Sequence, residues 1–197
     1  MKKNLSIKNI SRIAILGTLG ALLMLIDFPI FVAPSFYKLD IGDLPCLIGA
    51  FAMGPIPALF IQIIKILLKL LFKPTSTAFI GEIAAFIFSS VYCIVAAIVS
   101  QRNKTKKGAL VGMIIGSIAM IIVSTLTNYL FIIPAYSNLY GMPLEVIIGL
   151  GNSIFPVVKD LLSFSLCCVL PFNVIKTVII DVLTFFLYKH ISPLLKG

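Results

Sequence analysis

Lysines, carboxylates and amides find no partner in hydrocarbon, so each one inside an apolar stretch is a candidate for binding or for proton chemistry. This chain carries them in four places. Gln62, Lys65, Lys69 and Lys73 recur at helical spacing and share one face. Lys69 and Lys73 fall near the outer end of that helix, where a lysine stem can lie along lipid while its ammonium reaches the interface. Lys65 lies roughly 10 Å deeper, so it either snorkels as well or lines a cavity. Glu82 follows Gly81 at the expected start of the next helix, where the macrodipole favours an acid. It either caps that helix or offers an acceptor to a ligand or to a buried lysine.

Asn128 and Tyr129 follow Ser124, Thr125 and Thr127. Hydroxyls bond back to their own helix, whereas an amide is expected to do so less readily and offers a ligand edge both a donor and an acceptor. Pro171-Phe172-Asn173-Val174-Ile175-Lys176 predicts a helix start, because proline suits the first turn, and it places Asn173 and Lys176 on one face. A lysine there opposes the macrodipole at lipid depth and must be compensated. A hydrogen bond from Lys176 to a ligand is the preferred reading over a structural ion pair. Asp181, deeper in the same helix, is either a buried partner or an acceptor that stabilises a kink.

Recognised catalytic signatures are missing from the sequence. It has no GxxxxGK[ST] phosphate loop, no HExxH, no GxSxG and no paired-aspartate metal motif. Cys46, Cys93, Cys167 and Cys168 show no CxxC spacing and no neighbouring histidine, so they read as small apolar fillers rather than a zinc site or a redox pair. His190, the one histidine, stands beside Lys189 and reads as a solvated residue at the membrane edge. No metal and no cofactor is expected. Transport against a gradient would draw its energy from a partner or a coupled ion.

The elements that must position these residues follow from composition. Apolar residues make up 60% of the 197 residues and charged residues 12%, and the mean hydropathy is +1.13; soluble domains run roughly 45–50% apolar and about 25% charged. The sides of the molecule must therefore face lipid. Apolar runs at 10–33, 41–53, 55–72, 78–100, 108–133 and 172–190 predict an all-α integral membrane protein of six transmembrane helices, each needing roughly 20 residues to cross about 30 Å of hydrocarbon. Gly54-Pro55 with Pro57 would break a single helix over 41–72, so the chain reverses there. The run after Lys2 and Lys3 is too long for a secretory signal and stays as the first helix.

The net charge of +9 could suggest nucleic acid, but the basic residues are not interleaved with aromatics on a soluble face. They fall between the apolar runs, as membrane topology requires. With both ends in the cytoplasm of a cell-membrane protein, the inner set is Lys2, Lys3, Lys8, Arg12, Arg102, Lys104, Lys106, Lys107, Lys189 and Lys196. Asp40, Asp43, Glu82, Glu145 and Asp160 then fall outside or near the outer surface. The outer segments 34–40 and 134–170 are apolar and rich in proline and tyrosine, and are expected to be loops packed as lids over an outward-facing cavity. On the first helix, Ala14, Gly17, Thr18 and Ala21 form two small-xxx-small pairs suited to close helix packing.

The segments FYKLDIGDLPCLIGAFAMGPIPALFIQIIKILL (36–68), GEIAAF (81–86), TNYLFIIPAY (127–136) and PFNVIKTVIIDVLTFFLYKHISPLLK (171–196) together resemble the riboflavin-specific S-components of energy-coupling factor (ECF) transporters, in the same order and spacing. The resemblance covers nearly the whole chain. It implies the six-helix S-component fold, with a riboflavin site covered by the loop between helices one and two. It also implies a membrane coupling protein and two cytoplasmic ATPases as partners, the ATP being hydrolysed by those subunits. Small residues on helix one, here Ala14, Gly17, Thr18 and Ala21, would dock on the coupling protein. Asn128, Asn173 and Lys176 fall on the ligand-contacting motifs, with Leu39, Asp40, Lys65, Glu82 and Tyr136 as further contacts. Two rivals are weighed beside it. One is an S-component for another vitamin such as thiamine or pantothenate. The other is a membrane enzyme acting on a lipid or isoprenoid, with Lys176, Glu82 and Asp181 as its acid-base set.

Overall fold

Inside lipid every backbone group must be satisfied within its own segment, which is why the apolar runs of this chain become helices. The structure is a computed structural model. It describes residues 7–75, 77–103 and 105–196, and their side chains except at 140 and 188–196. Lys2, Lys3 and Lys104 lie outside the described residues, and the side chains of Lys189, His190 and Lys196 outside the described side chains.

Helix α1 (Ile7–Leu25) leads into a two-stranded hairpin of β1 (Phe28–Pro29) and β2 (Lys38–Leu39). The strands are antiparallel, with Phe28 opposite Leu39 and Pro29 opposite Lys38. Then follow α2 (Asp43–Met53), α3 (Pro55–Phe72), α4 (Ile80–Arg102) and α5 (Lys106–Thr127). A π-helical turn, Asn128–Ile132, carries α5 into α6 (Ile133–Tyr140), and α7 (Leu144–Ile154) follows. Finally α8 (Leu161–Phe164) runs through a second π turn, Ser165–Val169, into α9 (Leu170–Lys196).

Among the described residues five spans are long and apolar enough to cross a membrane: Ile7–Leu25, Pro55–Phe72, Ile80–Arg102, Lys106–Leu139 and Leu161–Leu187. The remaining pass is α2. Its 11 residues reach only about 16 Å at 1.5 Å each, half the hydrocarbon thickness. Gly54 makes the sharp turn from α2 into α3 at φ +100°, a conformation that side-chain-bearing residues rarely adopt. Ile15, Leu19, Ile63, Leu67, Ile118, Ile122, Val178 and Val182 stay exposed, as a lipid-facing belt requires. The basic-rich turn between α4 and α5 marks one end of the bundle and the hairpin the other.

Three expected boundaries are corrected. The first helix ends at Leu25 instead of continuing to residue 33; Pro29 disfavours helix at the residue before it, and the hairpin takes over. The 34–40 segment is accordingly the turn and return strand of that hairpin. The 134–170 segment is helical over most of its length, where a lid loop was expected. Its prolines mislead as breakers: Pro143 stands just before the first turn of α7, where no helical N–H is lost, and Pro134 lies within a helix that runs unbroken from α5 into α6.

Nor does Pro171 open the last helix, which is continuous from Leu161. A proline ring collides with the carbonyl four residues earlier. For Pro134 that residue is Leu130 and for Pro171 it is Cys167, and each lies within one of the two π turns. The widened turns give the rings room, and they do so beside the polar groups Asn128 and Asn173.

Two apolar clusters hold the molecule together. One joins α1 through α5 and α9, with Leu47, Ile61, Tyr92, Met113 and Ile180 at its centre. The other lies under the hairpin and α7, around Leu39, Ile147, Phe164 and Phe172.

Candidate functional site

The two clusters leave a cavity of about 290 Å³ between them. Its apolar walls are Ala84, Phe88 and Met120 from the bundle and Ile133, Ile147 and Phe172 from the cap. Phe36 and Tyr37 of the hairpin turn close it. Phe36 stacks on Tyr136 with ring centres 5.7 Å apart, and Tyr37 tilts against Phe172 at 5.4 Å. Of the expected binding residues, Asn128, Asn173, Lys176, Asp40, Glu82 and Tyr136 all line the cavity. Leu39 does not: its side chain is buried in the cluster beneath the hairpin.

Both asparagines bond back to their own helices, although an amide was expected to do so less readily than a hydroxyl. Asn128 donates through Nδ2 to Ser124 O at 2.8 Å, and Asn173 to Val169 O at 2.9 Å. Pinning Nδ2 fixes the orientation of each amide and turns it into an acceptor, Oδ1, at the cavity wall. The Asn128 acceptor is taken by the Tyr37 hydroxyl at 2.8 Å.

Lys176 is compensated by an ion pair, the alternative weighed against a bond to a ligand. Its Nζ donates to Asp40 Oδ2 at 2.8 Å and lies 3.4 Å from Asp43 Oδ2. Because the helix is continuous from Leu161, this lysine is also mid-helix, and the macrodipole objection to it disappears. Lys65 neither snorkels nor lines the cavity. It is 1% exposed and bonds Asp43 Oδ1 at 2.5 Å. Asp43, expected near the outer surface, is fully buried at the start of α2, with Gln62 Nε2 3.4 Å from the same oxygen.

Lys69 and Lys73 were expected only to snorkel, yet both line the cavity in ion pairs. Lys69 bonds Glu82 at 2.6 Å, and Lys73 bonds Asp27 at 2.6 Å. Glu82 therefore serves a half-buried lysine rather than capping α4. Its other oxygen accepts from the Thr75 and Thr77 hydroxyls at 2.9 and 3.0 Å. The turn that brings them there runs through Ala78 and Phe79, both at positive φ, a strain of order 1–3 kcal/mol each.

Asp27 ties the hairpin to the end of α3, since it also faces Lys38 at 3.4 Å. Burial alone would raise its pKa, but Lys73 and then Lys38 outweigh burial and hold the carboxyl below its ordinary 3.8. The sequence reading missed Asp27 by placing it inside the first helix, and Pro29 was the available signal.

Asp181, five residues beyond Lys176 on α9, is outside the cavity lining and ties three helices together. It accepts from Ser117 of α5 at 2.6 Å and from the Tyr92 hydroxyl of α4. Since Asp181 is outside the cavity lining while Lys176 and Glu82 are paired elsewhere, the three do not form an acid-base set. On α1 the small residues split. Gly17 and Ala21 are buried, and a Cβ on Gly17 would sit 2.6 Å from Ile64. Ala14 and Thr18 face outward.

A lipid-belted bundle with one polar-studded cavity under an aromatic cap is a solute-binding membrane protein. The chain belongs to the family of substrate-specific components of ECF transporters, whose model matches residues 8–188. It is 26% identical over 190 residues to riboflavin transporter FmnP of Bacillus subtilis, covering 96% of this chain and 94% of that one. It is 29% identical over 189 residues to riboflavin transporter RibU of Staphylococcus aureus, covering 96% and 93%. The solved S component of a bacterial ECF transporter superimposes with a TM-score of 0.73 at 27% identity, over 96% of this chain and 98% of that one. The chain is thus a transporter subunit rather than an enzyme.

Proposed function

We propose that this chain is the riboflavin-binding subunit of an ECF-type vitamin importer in the cell membrane. Its termini are cytoplasmic and its cavity faces outward. It works with a membrane coupling protein and two cytoplasmic ATPases, which supply the ATP hydrolysis that this chain has no phosphate loop to perform. It carries no cofactor of its own, and riboflavin is cargo.

One observation carries the choice of ligand: the two lysines in the body of the cavity are each matched one to one by a carboxylate. Lys69 faces Glu82 and Lys176 faces Asp40, while the more exposed Lys38 and Lys73 share Asp27 at the rim. An anion such as pantothenate would call for an unmatched cation, and a cation such as thiamine for an unmatched carboxylate. A neutral ligand asks for neither. Riboflavin is neutral at pH 7, with a flat ring that suits Phe36, Tyr136 and Phe172 and one polar edge that alternates acceptor, donor and acceptor. The asparagine Oδ1 atoms can accept from the ring N–H, and Lys176 can donate to a ring carbonyl. The hydroxylated tail then meets Thr77, Ser89 and the Lys69–Glu82 pair.

Protein purified from cells grown with riboflavin should be yellow, and stripped protein should quench added riboflavin fluorescence with one site and without ATP. A colourless preparation that ignores riboflavin but binds thiamine or pantothenate would remove this reading. Hydrolysis of ATP by the purified chain, contaminants excluded, would remove the division of labour with the ATPases.

A further inference from the structure

We infer that Asp43 is a positioning residue for the ligand-facing ammonium of Lys176, an inference that rests on the riboflavin reading above. Asp43 is 0% exposed and does not line the cavity. Its Oδ1 is held by Lys65 at 2.5 Å, with Gln62 Nε2 at 3.4 Å. Its Oδ2 has no hydrogen-bond partner although it is buried, and it lies 3.4 Å from Lys176 Nζ. A buried carboxylate oxygen left without a bond costs free energy, so its placement toward a second lysine calls for a reason beyond the pairing with Lys65.

The donor count supplies that reason. An ammonium has three N–H groups and no acceptor. Asp40 Oδ2 takes one at 2.8 Å, and Asp43 Oδ2 stands where it attracts a second from the interior side. With its charge balanced from two sides, Lys176 keeps its third N–H for a ligand carbonyl and is not free to swing along the cavity. Lys65 and Gln62 serve this arrangement indirectly, because they fix the Asp43 carboxylate in one orientation. The four ionised groups come from separate parts of the fold: Asp40 just after β2, Asp43 on α2, Lys65 on α3 and Lys176 on α9. Their charges sum to zero, which is what makes such a row tolerable at lipid depth.

The test separates positioning from folding. Asp43→Asn with Lys65→Met removes one acid and one base, so the remaining Lys176–Asp40 pair stays balanced. The pair of substitutions should weaken riboflavin binding about tenfold by fluorescence titration, or about 1.4 kcal/mol, while the thermal midpoint in detergent moves little. In a Lys176→Met background the same two substitutions should leave the dissociation constant unchanged, because the group they position is gone. Equal weakening in both backgrounds, or none in the native one, overturns the positioning role. If the double variant is not recovered folded, Gln62→Leu leaves every charge in place and is read the same way: weaker binding with Lys176 present and no effect without it supports the role, and equal effects overturn it. Native protein that binds no riboflavin at all overturns the ligand reading itself, an outcome visible before any variant is made.

Discussion

At the cavity wall the chemistry rests on a few atoms, and two of them are already engaged. The Tyr37 hydroxyl occupies Asn128 Oδ1, the acceptor that a ring N–H needs. Tyr37 is thus a competitor that must move or share when ligand enters. Tyr37→Phe keeps the ring against Phe172 and deletes the competing bond, worth about 0.5–1.5 kcal/mol, so riboflavin should bind roughly 2- to 13-fold tighter. Weaker binding by titration would show instead that the hydroxyl serves the ligand. Lys176→Met removes the ligand donor and should cost about 1–3 kcal/mol, or roughly 5- to 150-fold in affinity. Because the lysine also balances Asp40 and Asp43, this variant should melt earlier too, so both affinity and thermal midpoint need measuring. Normal binding in Lys176→Met would remove the lysine from the site.

Among the elements, the hairpin is the one whose turn closes the cavity with Phe36 and Tyr37. It has only two residues in each strand; Asp27, which also pairs with Lys38 of β2, fastens it to Lys73 at the end of α3, and Tyr37 fastens it to Asn128 in the π turn after α5. The Asp27 carboxyl is held below its ordinary value in the closed state, so the closed state binds fewer protons than the open one there. The fastening is complete above the ordinary value of 3.8 and is lost as pH falls through the lower value of the closed state. Riboflavin release followed by stopped-flow fluorescence should accordingly be flat from about pH 8 to about pH 5 and accelerate only in stronger acid. Asp27→Asn should release faster from about pH 8 to about pH 5 and converge with the native protein in stronger acid, and high salt should narrow the difference between them, because the pair is partly exposed. The hairpin also shows why parts of the molecule were legible in sequence and others were not. Helical periodicity and proline placement carry the bundle, and isolated polar residues in apolar runs mark Asn128, Asn173, Lys176 and Glu82. The ion-pair partners are invisible, because Asp43 with Lys65 and Asp40 with Lys176 are joined only by tertiary packing. Proline has two meanings as well: at Pro29 it ends a helix, while at Pro171 it sits inside one relieved by a π turn.

The whole bundle has two distinct ends and one asymmetric side, and both bear on how it would work in a membrane. If Arg102, Lys106 and Lys107 face the cytoplasm, a cysteine introduced at the exposed Asn103 should react with an impermeant thiol reagent only in inside-out vesicles. Labelling in intact cells would invert the molecule and turn the cavity inward. The faces of α1 then decide where a partner can dock. Of the four small residues expected to serve docking, Gly17 and Ala21 are spent inside the bundle, where Gly17 lets α1 approach Ile64 of α3. Ala14 and Thr18 remain on the outer face, and the Thr18 hydroxyl is satisfied by Ala14 O at 2.9 Å, so the pair presents a flat surface without an unmet polar group. The two pairs therefore respond differently to bulk. Ala14→Phe projects into lipid or partner and should leave riboflavin affinity and thermal midpoint near native, while transport and co-purification with the coupling protein fall steeply. Gly17→Leu has no space beside Ile64, and overpacking of that kind costs about 1–3 kcal/mol or more, so it should lower the thermal midpoint first and lose transport as a consequence. Measuring both variants for stability, binding and uptake places the docking face: if Ala14→Phe transports normally, the coupling protein meets another side of the bundle.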